Sequence, residues 1–233
     1  MPTDYGNFYK FIRGLLRLSS KRATVRTFPK TVAGPVVYVS HHRNMYGPVT
    51  ILKWHPEFVR TWIFSAFMDY RTCYDHYVAY TLTERLGFSK GVAKVVAAPL
   101  AWFMTTLTKS ARGIPVYRQS RKVIETMQQS VETLEQGTSL LIFPDVDYSD
   151  DSVEVKEIYD GFLYIDKYYY RKTKKHIPFV PVVAVKETQS FRVGEPIYFS
   201  GEGNFINQRK IVAAEIQQSL NALSQEGSII SIS

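Results

Sequence analysis

The 233-residue sequence has one cysteine, few glycines and prolines, and no long apolar run. The single Cys73 excludes a disulfide framework and any cysteine-rich zinc or iron–sulfur site, which suits a reducing compartment. Glycine (13) and proline (11) are too scarce for a collagen-like, low-complexity or wholly disordered chain. With 45% apolar residues, a chain of this length can bury a full core. The composition is therefore that of an ordinary globular protein.

Long hydrophobic stretches are also missing. The longest, residues 95–104, is about half of the roughly 18 apolar residues that span a bilayer, and it contains Pro99. No apolar run follows a basic start, as it does in a secretory signal. We therefore expect a chain that neither spans a membrane nor leaves the cell by a signal peptide. Residues 95–104 form a buried helix or a segment that dips into an interface, and both alternatives stay open.

Positive charge is concentrated at the N-terminus. The net charge is +8, and residues 1–30 hold seven Lys or Arg against one acid. Apolar residues recur there at helical spacing: Phe8, Phe11, Ile12, Leu15 and Leu16. Basic residues fall three or four apart on another face: Lys10, Arg13, Arg17 and Lys21. This pattern predicts a basic amphipathic helix, either touching anionic lipid through these four residues or packing its apolar stripe on its own domain.

Strand and helix patterns alternate along the rest of the chain. Predicted strands cover 36–40, 58–64, 113–117, 139–143, 178–185 and 191–199, the last interrupted at Gly194. Predicted helices cover 74–86, 91–108, 120–136, 157–171 and 205–224. This alternation predicts an α/β fold with a single mixed, largely parallel sheet flanked by helices. We expect a membrane-associating segment at 1–33 and one α/β domain at 34–233.

Two adjacent histidines directly follow the first predicted strand. His41 and His42 lie between 36–40 and a possible helix start, where an imidazole is well placed to act as a general base. A structural role is the alternative for such a pair. A metal site is not expected, because adjacent residues of an extended segment point in opposite directions and no further ligand lies at a suitable spacing.

Four segments together resemble the sequence blocks of one enzyme family. They are SHHRNMYGPV (40–49), RGIPVYR (112–118), LLIFPDV (140–146) and IPFVPVVAV (177–185), and GEPI (194–197) follows the fourth. In this order and spacing they resemble the glycerolipid acyltransferases, the 1-acylglycerol-3-phosphate acyltransferases of the lysophospholipid acyltransferase superfamily. The resemblance covers residues 34–199.

The first block implies a catalytic base. In the family a histidine, followed after four residues by an aspartate, deprotonates an acceptor hydroxyl that attacks an acyl thioester. His42 matches the histidine, but Gly47 stands where the aspartate belongs. A backbone carbonyl or a distant carboxylate can orient the ring instead. The candidates are Asp69, Asp75 and Asp145, with Tyr46 and Asn44 as weaker ones.

The second and third blocks imply substrate binding. By resemblance, Gly113 permits a close backbone approach and Arg118 binds the acceptor's phosphate, with a surface salt bridge as the alternative for Arg118. Pro144 and Asp145 match the third block, Phe-Pro-Glu-Gly-Thr-Arg, but the family's glycine and arginine are replaced within the acidic run 145–151. This loop favours an acceptor bearing an amine or a sugar, or it is a solvated acidic loop without a ligand.

The resemblance implies a peripheral membrane acyltransferase on the cytoplasmic face of the cell membrane. Its donor would be acyl-coenzyme A or acyl carrier protein, its acceptor a glycerolipid or lysophospholipid-like hydroxyl, and it would need no metal or prosthetic group. The alternative is a non-catalytic relative that binds lipid or a partner. Nucleic-acid binding, prompted by a pI near 9.4, is not expected, because no nucleic-acid recognition motif occurs.

Overall fold

The computed structural model describes residues 3–20, 32–117, 120–147, 150–187 and 189–225. The helices are α1 (Asn7–Leu18), α2 (Tyr46–Trp54), α3 (Tyr70–His76), α4 (Lys90–Ser110), α5 (Val123–Glu135), α6 (Tyr164–Thr173) and α7 (Phe205–Gln225). The strands are β1 (Val37–Ser40), β2 (Val59–Phe64), β3 (Ile114–Val116), β4 (Ser139–Ile142), β5 (Phe179–Val185) and β6 (Ser190–Val193). The predicted fold class, α/β with a mixed, largely parallel sheet and flanking helices, is confirmed.

The chain forms two compact units. One comprises Met1–Leu15 and Arg60–Thr126, and the other comprises Leu16–Val59 and Met127–Ser233. We call them the smaller and the larger unit. The predicted division into 1–33 and 34–233 stays a prediction, and residues 21–31 lie outside the described part of the chain.

The larger unit is built on β1, which lies between two parallel neighbours. Val37 is in register with Leu140 of β4 on one side and with Phe179 of β5 on the other, and β6 runs antiparallel along β5. All seven residues of β5 and all four of β4 are buried, as expected for strands covered on both faces. Because β1 and β4 are parallel neighbours, the segments that follow them emerge at the same edge of the sheet.

The smaller unit pairs β2 with β3 in parallel, with Trp62 opposite Ile114. Gly113 precedes β3, and a Cβ atom there would lie 2.3 Å from Cδ1 of Ile63, so glycine allows the two segments to approach closely. In the same unit α1 begins against the end of α4. The Gly6 amide donates to the Ser110 carbonyl (2.7 Å), and the Tyr9 amide donates to the Ser110 hydroxyl (2.9 Å).

Some predicted boundaries differ from the structure. The helix expected at 74–86 is α3, which Asp69 caps by accepting from the Thr72 amide (3.0 Å), followed without a break by a π-helix, Tyr77–Arg85. The strand expected at 191–199 with an interruption at Gly194 is found as β6, which ends at Val193, and Ile197 returns to the sheet as an isolated bridge to Phe179. Gly194 lies at this break, where an added Cβ atom would be 2.8 Å from the Ser219 hydroxyl oxygen and 3.2 Å from Cδ1 of Leu223.

The apolar run 95–104 lies within α4. This helix is long and apolar enough to cross a membrane by length and composition, a test that core helices of soluble proteins also pass. Only 28% of its most apolar window is buried, and Val92, Val95 and Trp102 are more than half exposed. The run is therefore helical, as predicted, and much of its surface is not covered by the protein.

Candidate active site

The first and third sequence blocks meet at the carboxyl ends of β1 and β4. His41 and His42 follow Ser40 at the end of β1, and Phe143, Pro144 and Asp145 follow Ile142 at the end of β4. The two strands are adjacent and parallel, so residues more than 100 positions apart in sequence are brought into contact.

Asp145 connects the two blocks, since it contacts both histidines. It is 5% exposed, and its two carboxylate oxygens bind different parts of the histidine pair. Oδ1 contacts Nδ1 of the His41 ring, and Oδ2 accepts a hydrogen bond from the backbone amide of His42 at 2.7 Å. One buried carboxylate therefore fixes the ring of the first histidine and the backbone of the second.

Both nitrogens of the His41 ring face oxygen atoms that only accept hydrogen bonds. Nδ1 faces Asp145, and Nε2 donates to the Ser152 carbonyl at 2.9 Å. Two acceptors require two N–H groups, so this arrangement fits the imidazolium form. Burial alone lowers the pKa of His41, but the hydrogen bond and charge of Asp145, with smaller contributions from Ser152 and Asp150, outweigh burial and leave the pKa raised.

The ring of His42 has the opposite character. Burial lowers its pKa and the positive His41 lowers it further, while Asp145 opposes them, so the ring is neutral at physiological pH. Its Nδ1 contacts the backbone carbonyl of Asn44, and the ring packs edge-on against Phe143 with the centroids 5.7 Å apart. Because a carbonyl can only accept, Nδ1 carries the hydrogen, and the lone pair of the neutral ring is on Nε2.

The loop that supplies this carbonyl is strained. Arg43 and Asn44 both have left-handed backbone angles, with φ values of 41° and 55°. Asparagine tolerates this region, whereas arginine rarely adopts it. The loop is held from outside, because the Asn44 amide donates to the Asp150 carbonyl (2.8 Å) and the Arg43 guanidinium binds Glu187 (2.8 Å). Strain of this kind is typical of functional sites.

Gly47 lies in the first turn of α2, directly against the histidine backbone. Its amide donates to the His42 carbonyl at 3.1 Å, and a Cβ atom would lie 2.2 Å from the His41 carbonyl oxygen. No side chain fits there unless the backbone moves. The local packing thus excludes the aspartate that the resembled family has at this position. The Asn44 carbonyl instead contacts Nδ1 of His42, the nitrogen that such an aspartate would orient.

The acidic loop after Asp145 is held in place at Asp150. Asp150 binds Lys156 (2.9 Å) and accepts from both the amide and the hydroxyl of Ser152, and these hydrogen bonds hold the pKa of Asp150 at about 2. Tyr148 lies outside the described residues. Asp150 is therefore engaged within the loop, whereas the carboxylates of Asp147 and Asp151 are exposed.

The other predicted site residues are more dispersed. The Pro144 carbonyl accepts from the Tyr159 amide at 2.7 Å, and Gly113 lies in the smaller unit beside Ile63. Arg118, the predicted phosphate ligand, lies outside the described residues, as does Lys21. Among the residues that the structure describes, no group of three or more His, Cys, Asp or Glu is placed to hold a metal ion.

The predicted membrane-contacting residues of α1 have neighbours within the protein. Lys10 pairs with Asp4, and the Arg13 guanidinium lies 5.4 Å from the ring centre of Tyr5. Arg17 donates from Nε to the Lys53 carbonyl (2.7 Å). These contacts leave the charges near the surface without excluding a lipid headgroup, so the lipid-contacting role stays a prediction.

His41 had no distinct role in the predictions made from the sequence. Two features of the sequence could have indicated its role: a second histidine follows the first strand, and Asp145 stands where the resembled family has the longer Glu. The two positions become partners only when β1 and β4 are neighbours, which the sequence alone did not show.

Comparison with protein-family models finds no match to the chain, and comparison with curated proteins finds none. Among solved structures, the chain is similar to the crystal structure of the 1-acyl-sn-glycerophosphate (LPA) acyltransferase PlsC from Thermotoga maritima. The two are 14% identical, the match covers 93% of this chain and 76% of that one, and the TM-score is 0.48. This is a similarity in the course of the backbone, and function has to come from the residues of the site.

Proposed function

We propose that the protein is an acyltransferase that moves a fatty acyl group from a thioester to a hydroxyl of a glycerolipid or lysophospholipid-like acceptor. The donor is acyl-coenzyme A or acyl carrier protein, and His42 is the general base. The observation that carries this proposal is the neutral His42 ring, whose Nδ1–H is held by the Asn44 carbonyl where the first and third blocks meet. This is the tautomer that general-base catalysis at Nε2 requires.

The reaction follows from that tautomer. Nε2 of His42 takes the proton of the acceptor hydroxyl as its oxygen attacks the thioester carbonyl carbon. The tetrahedral intermediate collapses, the carbon–sulfur bond breaks, and the departing thiolate takes the proton back from the imidazolium. In the first step His42 gains a positive charge beside the positive ring of His41. The negative charge of Asp145 offsets the resulting repulsion.

The remaining blocks supply the substrate contacts in this proposal. Arg118 binds the acceptor's phosphate, and Gly113 lets the backbone of the second block approach it. Pro144 and Asp145 shape the third-block side of the site. The negative charge of the aspartate-rich loop favours acceptors that bear an amine or a sugar. An assay therefore has to include such acceptors.

We also propose that the reaction takes place at an anionic membrane surface, on the cytoplasmic face of the cell membrane. Large apolar side chains of the smaller unit face outward: Phe11 is 62% exposed, Leu15 48% and Val95 75%. The sequences of α1 and α4 contain lysine and arginine but no aspartate or glutamate. Exposed apolar residues beside a purely cationic set suit an interfacial helix better than a helix that packs its apolar stripe inward.

The catalytic proposal is tested by thiol release. Wild-type protein is incubated with acyl-coenzyme A or acyl carrier protein thioesters and with lysophospholipid, glycerol phosphate, amino-lipid or glycolipid acceptors. Acceptor-dependent release that disappears in His42→Ala is expected. The matched control is His176→Ala, because His176 precedes β5 and lies at the opposite edge of the same parallel strands. That variant is expected to keep the activity.

A non-catalytic lipid-binding relative is the second candidate, and Gly47 in place of the family's aspartate is the observation that favours it. Folded, liposome-bound protein that releases no thiol with any donor and acceptor would support this candidate and refute the catalytic one.

The membrane proposal has its own test. Phe11→Ser together with Leu15→Ser is expected to weaken binding to anionic liposomes at least about tenfold, because each buried large side chain contributes about 1.5–3 kcal/mol. The matched control is Ile206→Ser with Ile211→Ser, two exposed apolar residues of α7, and it should bind as the wild type does. Equal binding by both pairs, or binding insensitive to salt, would contradict the proposal.

A further inference from the structure

His41 is the most completely engaged polar side chain of the site, and the proposed reaction does not use it. It is 5% exposed, follows β1 directly, and precedes the base in the chain. Its ring spans two separate stretches of the third-block loop, at Asp145 and at Ser152. This arrangement is not that of a metal-binding histidine, because both ring nitrogens of His41 are engaged with hydrogen-bond acceptors and neither is left to bind a metal ion.

We propose that protonated His41 is a positioning residue, which clamps Asp145 and the 150–152 segment against the loop that carries the base and so keeps His42 on the Asn44 carbonyl. This inference rests on the proposed function. It assigns His41 no contact with substrate, only an action through its neighbours.

Two short chains of contacts connect the clamp to the base. In the first, His41 holds Oδ1 of Asp145, whose Oδ2 holds the backbone amide of His42 (2.7 Å). In the second, His41 holds the Ser152 carbonyl (2.9 Å), and two residues earlier the Asp150 carbonyl holds the Asn44 amide (2.8 Å). Asn44 provides the carbonyl that orients the base, so both chains end at His42.

A neutral His41 cannot keep both contacts. With one N–H instead of two, either Asp145 or the Ser152 carbonyl faces a lone pair, and the buried acceptor loses its partner. The titratable or charged groups around the ring are Asp145, Asp150, the neutral His42 and Arg43, which is itself bound to Glu187. The other neighbours, on β5 and α7, are Val183, Ala184, Val185 and Ser224, which carry no charge.

The clamp gives the reaction an active pH range with two different limits. Burial lowers the pKa of His42, so the base stays neutral down to a pH below the ordinary value of 6.5. The Asp145 contact raises the pKa of His41 against the effect of burial, so the clamp persists above 6.5. The acid limb of a pH–rate profile then belongs to the base, and the alkaline limb belongs to the positioning residue.

The first test reads the ring itself and needs no activity. Nitrogen-15 NMR of the five imidazoles is recorded on the wild-type protein as the pH is raised from 5 to 10. One histidine is expected to keep both nitrogens protonated above pH 6.5, and its signals should be missing from His41→Gln. If that variant does not fold, variants of the other four histidines assign the signal by elimination.

The second test reads the reaction. Glutamine at position 41 can still donate to Asp145 but cannot titrate. His41→Gln is expected to keep the acid limb, lose the alkaline limb and turn over about tenfold to a hundredfold more slowly, the range known for groups that orient metal-bound histidines. The matched control His176→Gln alters another histidine–aspartate pair, His176 with Asp166 (2.9 Å), and should leave both limbs in place.

The outcomes separate the two proposals. An active wild type whose His41 loses a proton near pH 6.5, or a His41→Gln variant that keeps the alkaline limb, would overturn the positioning role alone. A doubly protonated His41 in a folded protein that is inactive with every donor and acceptor would overturn the acyltransferase function, and the positioning role with it.

Discussion

Introducing at position 47 the aspartate of the acyltransferases that the sequence resembles is expected to harm this protein. In Gly47→Ala and Gly47→Asp, the new Cβ atom would start 2.2 Å from the His41 carbonyl oxygen and 2.9 Å from that of His42, whereas ordinary contact begins at 3.4 Å. Both obstacles are backbone atoms, so no side-chain rotation relieves them. The carbonyls belong to the residues that Asp145 binds, and moving them disturbs the whole site.

The magnitude follows from two opposing effects. Overpacking costs about 1–3 kcal/mol, and contact with backbone puts this case at the upper end. Alanine in a helix gains about 1 kcal/mol over glycine. The net loss is about 2 kcal/mol, which lowers Tm by about 4–8 °C in a chain of this size. Thioester turnover should fall as well, because the ring of His42 leaves its acceptor.

Thermal unfolding followed by circular dichroism measures this loss. Gly91→Ala is the matched control, because Gly91 is also the second residue of a helix, α4, and has no atom within 4 Å of an added Cβ. It should unfold at or slightly above the wild-type temperature. A Gly47→Asp variant with wild-type Tm and faster turnover would refute the reasoning, since it would show that a side chain fits and orients the base better than the Asn44 carbonyl does.

Three further predictions concern single groups. Asp145→Asn should lower the free energy of unfolding by about 3–5 kcal/mol at pH 6, because it breaks the buried pair of Asp145 with His41. The loss should be smaller at pH 9, because the pair's contribution disappears as the pH rises through the raised pKa of His41. Urea unfolding at both pH values measures this difference. Gly113→Ala should cost about 1–3 kcal/mol by overpacking, and Ile63→Val should recover part of this loss by removing Cδ1, which a double-mutant cycle detects. Cys73, fully buried with burial raising its pKa to about 11, should react with a thiol reagent only after denaturation, so a fast reaction in the native protein would place it at the surface.

The sequence predicted the elements whose apolar pattern matches their burial. β5 is buried at every position and was expected at 178–185, and α5 was expected at 120–136, between Ser120, which accepts from the Lys122 amide, and Gly137 with its positive φ of 80°. Local signals decide such elements. The interruption expected at Gly194 within 191–199 was found as well, since β6 ends at Val193, whereas the return of Ile197 to the sheet depends on its bridge to Phe179, a contact that a local pattern does not show.

The site was predictable only in part for the same reason. A histidine after a strand, and a third-block acid after another, are local features, and both were found. The pairing of His41 with Asp145 spans 104 positions and depends on β1 lying beside β4. A backbone carbonyl was among the predicted substitutes for the missing aspartate. The Asn44 carbonyl could not be singled out, since its contact with His42 requires two consecutive left-handed residues, and the Asp150 carbonyl holds the second of them in place.

The most direct test of the central claim is the transfer of a labelled acyl chain from a thioester to a lipid acceptor, with the product identified by mass spectrometry, in wild-type protein and in His42→Ala. The account predicts an ester of an acceptor hydroxyl in the wild type and none in a folded His42→Ala variant. The same ester formed at equal rates by both proteins would contradict the claim that His42 is the base.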